Sequence, residues 1–275
     1  MEFTGERFVP EITGAIELEH MNRYYFVINQ ICLMDKVVLD IASGEGYGSD
    51  LLANSAKFVY GVDISSEAID HASLKYKKEN LTFLQGNTSN IPLKDDSVDV
   101  IVSFETIEHH DKHQEMMLEI KRVLKSNGIL VISSPDKQFF LSTEKNEFHI
   151  KELFYEEFQN LIKLHFIKTL FYSQTTFDGS IIALDENSHE YKKPIIANNE
   201  GVLSSILPFY NIAIGTDDID YNPNFQLVLY KNSKDDLSYS DFELAQKSIR
   251  DTKAYRLGKF ILKPLSFLRN VFFIK

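Results

Sequence analysis

From Val37 onward, short β-branched runs alternate with helical patterns, and this rhythm specifies a parallel sheet covered by helices. The runs are "VVLDIA" (Val37 to Ala42), "FVYGVD" (Phe58 to Asp63), "LTFLQG" (Leu81 to Gly86), "VDVIVSF" (Val98 to Phe104) and "GILVISS" (Gly128 to Ser134). Between them "SSEAIDHASLKY" offers a Ser cap with Ala68, Ile69, Ala72 and Tyr76 at helical spacing. "DKHQEMMLEIKRVLKSNG" predicts a helix capped by Asp111, burying Met116, Met117, Ile120, Val123 and Leu124, and ending at Asn127-Gly128. After Pro135 the pattern loosens. "FHIKELFYEEFQNLI" reads as a helix, and "FIKTLFYSQ" and "NFQLVLYK" as late strands. Residues 176–222 between them are polar and rich in Asn and Asp, which reads as an insertion or cover.

The chain of 275 residues is 44% hydrophobic, enough for one large domain with a sizeable core. Its single cysteine, Cys32, excludes an intrachain disulfide, reads as core filler and favours a reducing, cytoplasmic compartment. No secretory signal and no membrane-spanning run are expected. The net charge of -11 hides an asymmetry: residues 247–275 hold eight Lys or Arg against Asp251, so this tail is +7 and the rest is -18. So acidic a body is a poor match for a nucleic-acid backbone, and no nucleic-acid partner is expected.

The first run leads into "LDIASGEGYGSDLLA", with Gly44, Gly46 and Gly48 at a strand-to-helix turn and Asp40 near the strand's carboxyl end. Glycines there let a ligand approach the backbone, although a tight turn alone would also need them. The spacing is G-x-G-x-G, whereas the dinucleotide fingerprint is G-x-G-x-x-G. Asp63 ends the second run, where a carboxylate can accept both hydroxyls of a ribose.

At this point the sequence resembles the class I S-adenosylmethionine-dependent methyltransferases. "VLDIASGEGYG" is similar to their first motif, "VYGVDIS" to the second, and "FLQGNTSNIPLKDDSVDVIVSF" to the third and fourth. The resemblance implies a Rossmann-like α/β fold, a mostly parallel seven-stranded sheet with helices on both faces. It implies S-adenosylmethionine as cofactor, held by Asp40, Ala42, Gly44, Gly46 and Gly48 at the methionine end, Asp63 and Ile64 at the ribose, and Asn87 and Thr88 at the adenine, with Phe104 beside them. Asn87 stands where the family usually has an aspartate.

The fourth run opens into "SFETIEHHDKH". On a helical turn Glu105, Glu108 and His109 would share one face, and a divalent cation would relieve the repulsion of the two carboxylates. The E-x-x-E-H pattern is similar to metal-dependent methyltransferases of ubiquinone synthesis and of small-RNA 3′ ends, which implies Mg or Mn on Glu105, Glu108, His109 and a later histidine, His149. A metal-free reading makes His109 or His110 the general base, with Glu105 orienting the imidazole. A polar strand end with a solvated helix start is the third. Either chemical reading suits transfer to oxygen, because a hydroxyl is a poor nucleophile until its proton is removed or its pKa lowered.

Residues 1–35 read as an N-terminal helical lid, 36–232 as the catalytic domain with the insertion at 176–222, and 233–275 as a basic amphipathic tail. "TGERFVPEITGAIELEHMNRYYFV" resembles the N-terminal segment of methyltransferases from bacterial surface-polysaccharide (O-antigen) gene clusters. That implies a glycan or nucleotide-sugar acceptor, and a capping methyl on the chain. The tail can lie on an anionic membrane, peripheral at the inner membrane, or dock on the body or on a polysaccharide-assembly partner. A nucleotide-sugar oxidoreductase or epimerase is disfavoured by the glycine spacing, another small hydroxylated metabolite is an alternative acceptor, and a non-catalytic module is disfavoured by Asp40, Asp63 and Glu105.

Overall fold

The computed structural model describes residues 8–10, 14–140, 146–176, 180–185, 195–197, 203–205, 209–223 and 227–230. The chain divides into two compact units, residues 1–196 with 205–230, and residues 197–204 with 231–275. The proposed tail lies outside the described residues.

In chain order the elements are helix α1 (Ala15–Gln30), followed by β1 (Val37–Ile41), α2 (Tyr47–Ala53), β2 (Phe58–Asp63), α3 (Ser66–Lys75) and β3 (Leu81–Gln85). Next come β4 (Val98–Ser103), a 3-10 turn (Ile107–His109), α4 (His113–Val123), β5 (Leu124–Pro135) and the short α5 (Lys137–Phe140). Then follow α6 (Tyr155–His165), β6 (Lys168–Thr176), β7 (Ser180–Leu184), β8 (Ile195–Ala197), β9 (Leu203–Ser205), β10 (Tyr210–Thr216) and β11 (Leu227–Tyr230). Strands β8 and β9 form a separate pair, and the main sheet runs β11-β7-β6-β10-β5-β4-β1-β2-β3. Pairings among β3, β2, β1, β4 and β5 are parallel. Those joining β5, β10, β6, β7 and β11 are antiparallel.

The Rossmann-like expectation holds, with nine strands where seven were expected: β7 and β11 extend the antiparallel edge. Strand order reverses between β1 and β4, which opens a ligand crevice at their carboxyl ends.

Period-two alternation splits the core between the two faces of the sheet. Val38, Val100, Val102 and Val131 pack with Phe26 and Val27 of α1 and Leu52 of α2. Leu39, Ile41, Ile101, Leu130 and Ile132 face Met116, Met117 and Ile120 of α4 and Phe158 and Ile162 of α6. Phe26 and Val27 are fully buried, and each such side chain contributes about 1.5–3 kcal/mol. The helix within the expected lid is therefore built into the core of this structure.

Four other readings are corrected. The span 176–222 contains the sheet strands β7 and β10, and every residue of β10 after Tyr210 is buried. The helix expected from Phe148 begins at Tyr155. Helix α4 has Lys112, not Asp111, at its N-cap and stops at Val123, with Leu124 already the first residue of β5. Cys32 is exposed, just past the end of α1, and so is not core filler.

Candidate functional site

The chain leaves β1 through a left-handed turn. Ala42 has φ 58°, Gly44 φ 55° and Gly46 φ 97°. Only glycine adopts this region freely, so Ala42 costs about 1–2 kcal/mol there. The three glycines serve different purposes. A Cβ on Gly46 would sit 2.7 Å from the Ala72 Cβ, and one on Gly48 would overlap the Tyr24 ring. These two glycines admit α3, β3 and α1, and the Gly46 N–H is already spent on the Ser43 carbonyl at 2.9 Å. A Cβ on Gly44 would have the Ala42 carbonyl, 3.9 Å away, as its sole neighbour within 4 Å among the described residues, so among these the glycine borders open space.

Asp63, at the end of β2, accepts from the Gly44 N–H at 2.9 Å and from the Ser65 N–H at 2.9 Å. It thereby ties the glycine turn to the start of α3, whose N-cap is Ser65. The adjacent Ile64 is 69% exposed, an apolar surface beside a fixed carboxylate. Asn87 Oδ1 accepts from the Ser89 N–H at 3.0 Å, and Thr88 Oγ lies 3.2 Å from His110 Nε2. Asp40 behaves differently. It is 1% exposed, and it accepts from Ser49 Oγ at 2.6 Å and Tyr24 Oη at 3.2 Å. Burial pushes its carboxyl up to about 7 against the opposing pull of those hydrogen bonds. Asp40 is thereby tied to Ser49 of α2 and Tyr24 of α1.

The stretch after β4 does not form the helical face that the spacing suggested. Glu105 adopts φ 48°, accepts from Ser133 Oγ at 2.6 Å and lies 3.6 Å from Arg23 Nη2. It thus turns away from Glu108 and His109, which follow on a 3-10 turn. Glu108, His109 and His149 do converge, with one potential ligand atom from each lying within 4.8 Å of the others. Glu105 drops out of the expected metal set.

Segment 146–151 is laid on the turn by Ile150 and Lys151 N–H groups donating to the Glu108 carbonyl at 2.9 and 3.0 Å. His109 Nδ1 is 3.0 Å from the Phe148 carbonyl, which can only accept, so Nδ1 carries the proton and the lone pair of the neutral ring is on Nε2. His149 Nδ1 faces Glu152 Oε1 at 2.6 Å, which likewise leaves the lone pair on Nε2. His110 stands apart, against Thr88 and 5.6 Å from the His113 ring. Burial, and then the neighbouring His113, hold its pKa down. Glu105 does not orient it, which corrects the metal-free arrangement.

The sequence reading passed over Glu45. Its buried carboxylate receives Lys75 Nζ at 2.6 Å, Tyr76 Oη at 2.6 Å and an imidazole contact from His71 at 3.1 Å. An acid between two loop glycines, followed by a Lys-Tyr pair ending the next helix, was the available signal.

Residues 39–132 match the profile of the family described as a methyltransferase domain. Over that stretch the chain is similar to a methyltransferase domain. It is 34% identical over 167 residues to a probable S-adenosylmethionine-dependent methyltransferase of Mycobacterium tuberculosis, covering 59% of this chain and 60% of that protein. A Mycolicibacterium smegmatis relative of like description is 33% identical over 169 residues, covering 59% and 64%. The chain therefore spans under two thirds of the length of these relatives. Among solved structures, an S-adenosylmethionine-dependent methyltransferase from Archaeoglobus fulgidus shares the fold with a TM-score of 0.54 at 19% identity, covering 74% of this chain and 94% of that one. The Bacillus subtilis YcgJ protein does so at 0.51 and 20%, covering 78% and 99%.

The cofactor of this family is S-adenosylmethionine. The open side of Gly44, the backbone-fixed Asp63 and the exposed Ile64 fit its adenosyl part: a cradle, a diol acceptor and an apolar face.

Proposed function

We propose that the chain is an S-adenosylmethionine-dependent O-methyltransferase that acts on a sugar hydroxyl of a bacterial surface glycan or its nucleotide-linked precursor. The observation that carries oxygen as the acceptor atom is the Glu108, His109 and His149 group just past the end of β4, the strand beside the crevice. Its Nε2 lone pairs and buried carboxylate suit a group that must lose a proton on methylation. These three residues would hold Mg²⁺ or Mn²⁺, which when bound would supply Lewis-acid polarisation of the acceptor hydroxyl. The sugar assignment rests on the wording of the N-terminal segment.

A second acceptor class has its own support. A Mycobacterium ulcerans relative, 26% identical over 124 residues, is named a phthiotriol/phenolphthiotriol dimycocerosates methyltransferase, so a lipid-borne hydroxyl is the competing reading. Among the described residues no helix is long and apolar enough to cross a membrane. We place the enzyme in the cytoplasm, with its basic tail meeting the inner membrane or an assembly partner.

The test is transfer of labelled methyl groups to host glycan, nucleotide-sugar and lipid fractions, with the methylated atom identified by NMR. O-methyl sugar is the expected product. Labelled lipid alone would move the acceptor to the second class, and transfer only to nitrogen or sulfur would overturn the reading. A chelator should abolish transfer, Mg²⁺ or Mn²⁺ should restore it, and Glu108→Gln should raise the metal concentration needed. Full activity after chelation, with collapse in His109→Ala, would make His109 a base.

A further inference from the structure

The left-handed residues of the glycine turn, Ala42, Gly44 and Gly46, fall within five positions, and backbone of this kind persists only where its surroundings hold it. On one side the holding group is Asp63, which accepts from the Gly44 N–H. On the other it is Glu45, between two of these glycines, whose side chain is 1% exposed. Three donors from α3 and its C-cap enclose that carboxylate. Lys75 Nζ at 2.6 Å and His71 Nε2 at 3.1 Å meet Oε1, and Tyr76 Oη donates to Oε2 at 2.6 Å. Burial, and next the hydrogen bond to Glu45, push the Tyr76 phenol up, so it stays the donor.

These bonds close a ring. Asp63 holds Gly44 and, through the Ser65 N–H, the start of α3. Glu45, the next residue after Gly44, holds the other end of the same helix. The two acids are joined to each other through Gly44, so the Gly44 N–H cannot turn from Asp63 without breaking the ring. Stability alone is a poor reason for the arrangement: an apolar replacement of a buried ion pair is often neutral or stabilising, and Lys75, 34% exposed, adds little as a surface charge.

We infer that Glu45, with Lys75 and Tyr76, positions the cofactor-binding turn: it fixes Gly44 and Asp63 in place and does not itself touch the ligand. The inference rests on the S-adenosylmethionine reading of Gly44 and Asp63.

Calorimetry on the full chain, well below the unfolding transition, should show affinity for S-adenosylhomocysteine falling by roughly tenfold in Lys75→Met and by less in Tyr76→Phe, with Lys75→Arg keeping most of it. A pair that only stabilised the fold would lower the urea midpoint and leave this affinity unchanged, and that result would overturn the inference. Because Lys75 acts through Asp63, Lys75→Met should cost little further affinity in an Asp63→Ala background. Equal losses in the two backgrounds would overturn the assignment too. Tyr76→Phe keeps the ring and removes one oxygen, which guards against a Lys75→Met chain that does not fold. In Tyr76→Phe without ligand, the Gly44 amide should exchange its hydrogen faster than in the wild type, while amides of β4 and β5 keep their rates. Unchanged exchange at Gly44 would overturn this inference alone. A wild type that binds no S-adenosylhomocysteine would overturn the cofactor reading as well.

Discussion

The floor and the rim of the candidate cofactor site are built from neighbouring strands, yet they differ in kind. The floor consists of Asp40 with its partners Ser49 and Tyr24, and of Gly48, which leaves room for the Tyr24 ring. The rim is Gly44, Asp63 and Ile64, in which the carboxylate is held by two backbone N–H groups and the side of Gly44 is open. Two aspartates near the ends of adjacent parallel strands look equivalent in a motif. Both are buried, at 1% and 5% exposed, and their partners separate them: Asp40 accepts from two side-chain hydroxyls, whereas Asp63 accepts from two loop N–H groups, one of them that of Gly44.

The largest effect should come from adding one methyl to the floor. Gly48→Ala would drive a Cβ into the Tyr24 ring, and overpacking of this kind costs about 3 kcal/mol at the upper end of its usual range. Urea unfolding would show a lower midpoint at an unchanged slope, and Tyr24→Ala in the same chain should recover part of the loss. An unaltered midpoint would mean that the floor is soft, and the contrast with the rim would fail.

At the rim the cost should fall on binding. Asp63→Ala removes an oriented acceptor pair, and hydrogen bonds to a charged group are worth about 1.5–3 kcal/mol each, so cofactor affinity should fall by one to two orders of magnitude on the scale of roughly 1.4 kcal/mol per tenfold. The melting temperature should move far less than in Gly48→Ala. Undiminished affinity in calorimetry would remove Asp63 from the rim.

A further effect is a matter of pH. Asp40 sits at about 7 in the folded protein, above the roughly 3.9 of an unfolded aspartate, so the folded state holds this proton more tightly. Its contribution to stability is complete below about pH 4 and is lost as pH rises through 7, with a slope of up to about 1.4 kcal/mol per pH unit. Asp40→Asn should flatten the urea midpoint between pH 5 and 7 relative to the wild type. Parallel curves would show that the carboxyl is not buried as described.

The parallel half of the sheet was legible because its strands are continuous apolar runs, and Phe58–Asp63 was read to the residue. The antiparallel half was harder. Strand β10 carries Asn211 and Thr216 fully inside and lies within an Asn- and Asp-rich stretch, so its composition mimics a loop. Its partners β5 and β6 lie far away in sequence, and no local pattern announces that pairing. In the site, the residue types at positions 108, 109 and 149 did point to one cluster, as the structure finds. The placement of Glu105 depended on a left-handed backbone and on Ser133, neither of which can be read from i, i+3 spacing.

The anchoring of α1 also bears on synthesis. Its buried bonds from Asn22 to Ser180 and from Arg23 to Gln174 span 158 and 151 residues. At ribosomal rates of about 5–20 residues per second, this helix would wait roughly 8 to 30 s for its partners to be made. During that interval Asn22, Arg23 and Phe26 would lack Ser180, Gln174 and the Tyr172 ring, and the nascent chain would present this side of α1 to any chaperone at the tunnel exit.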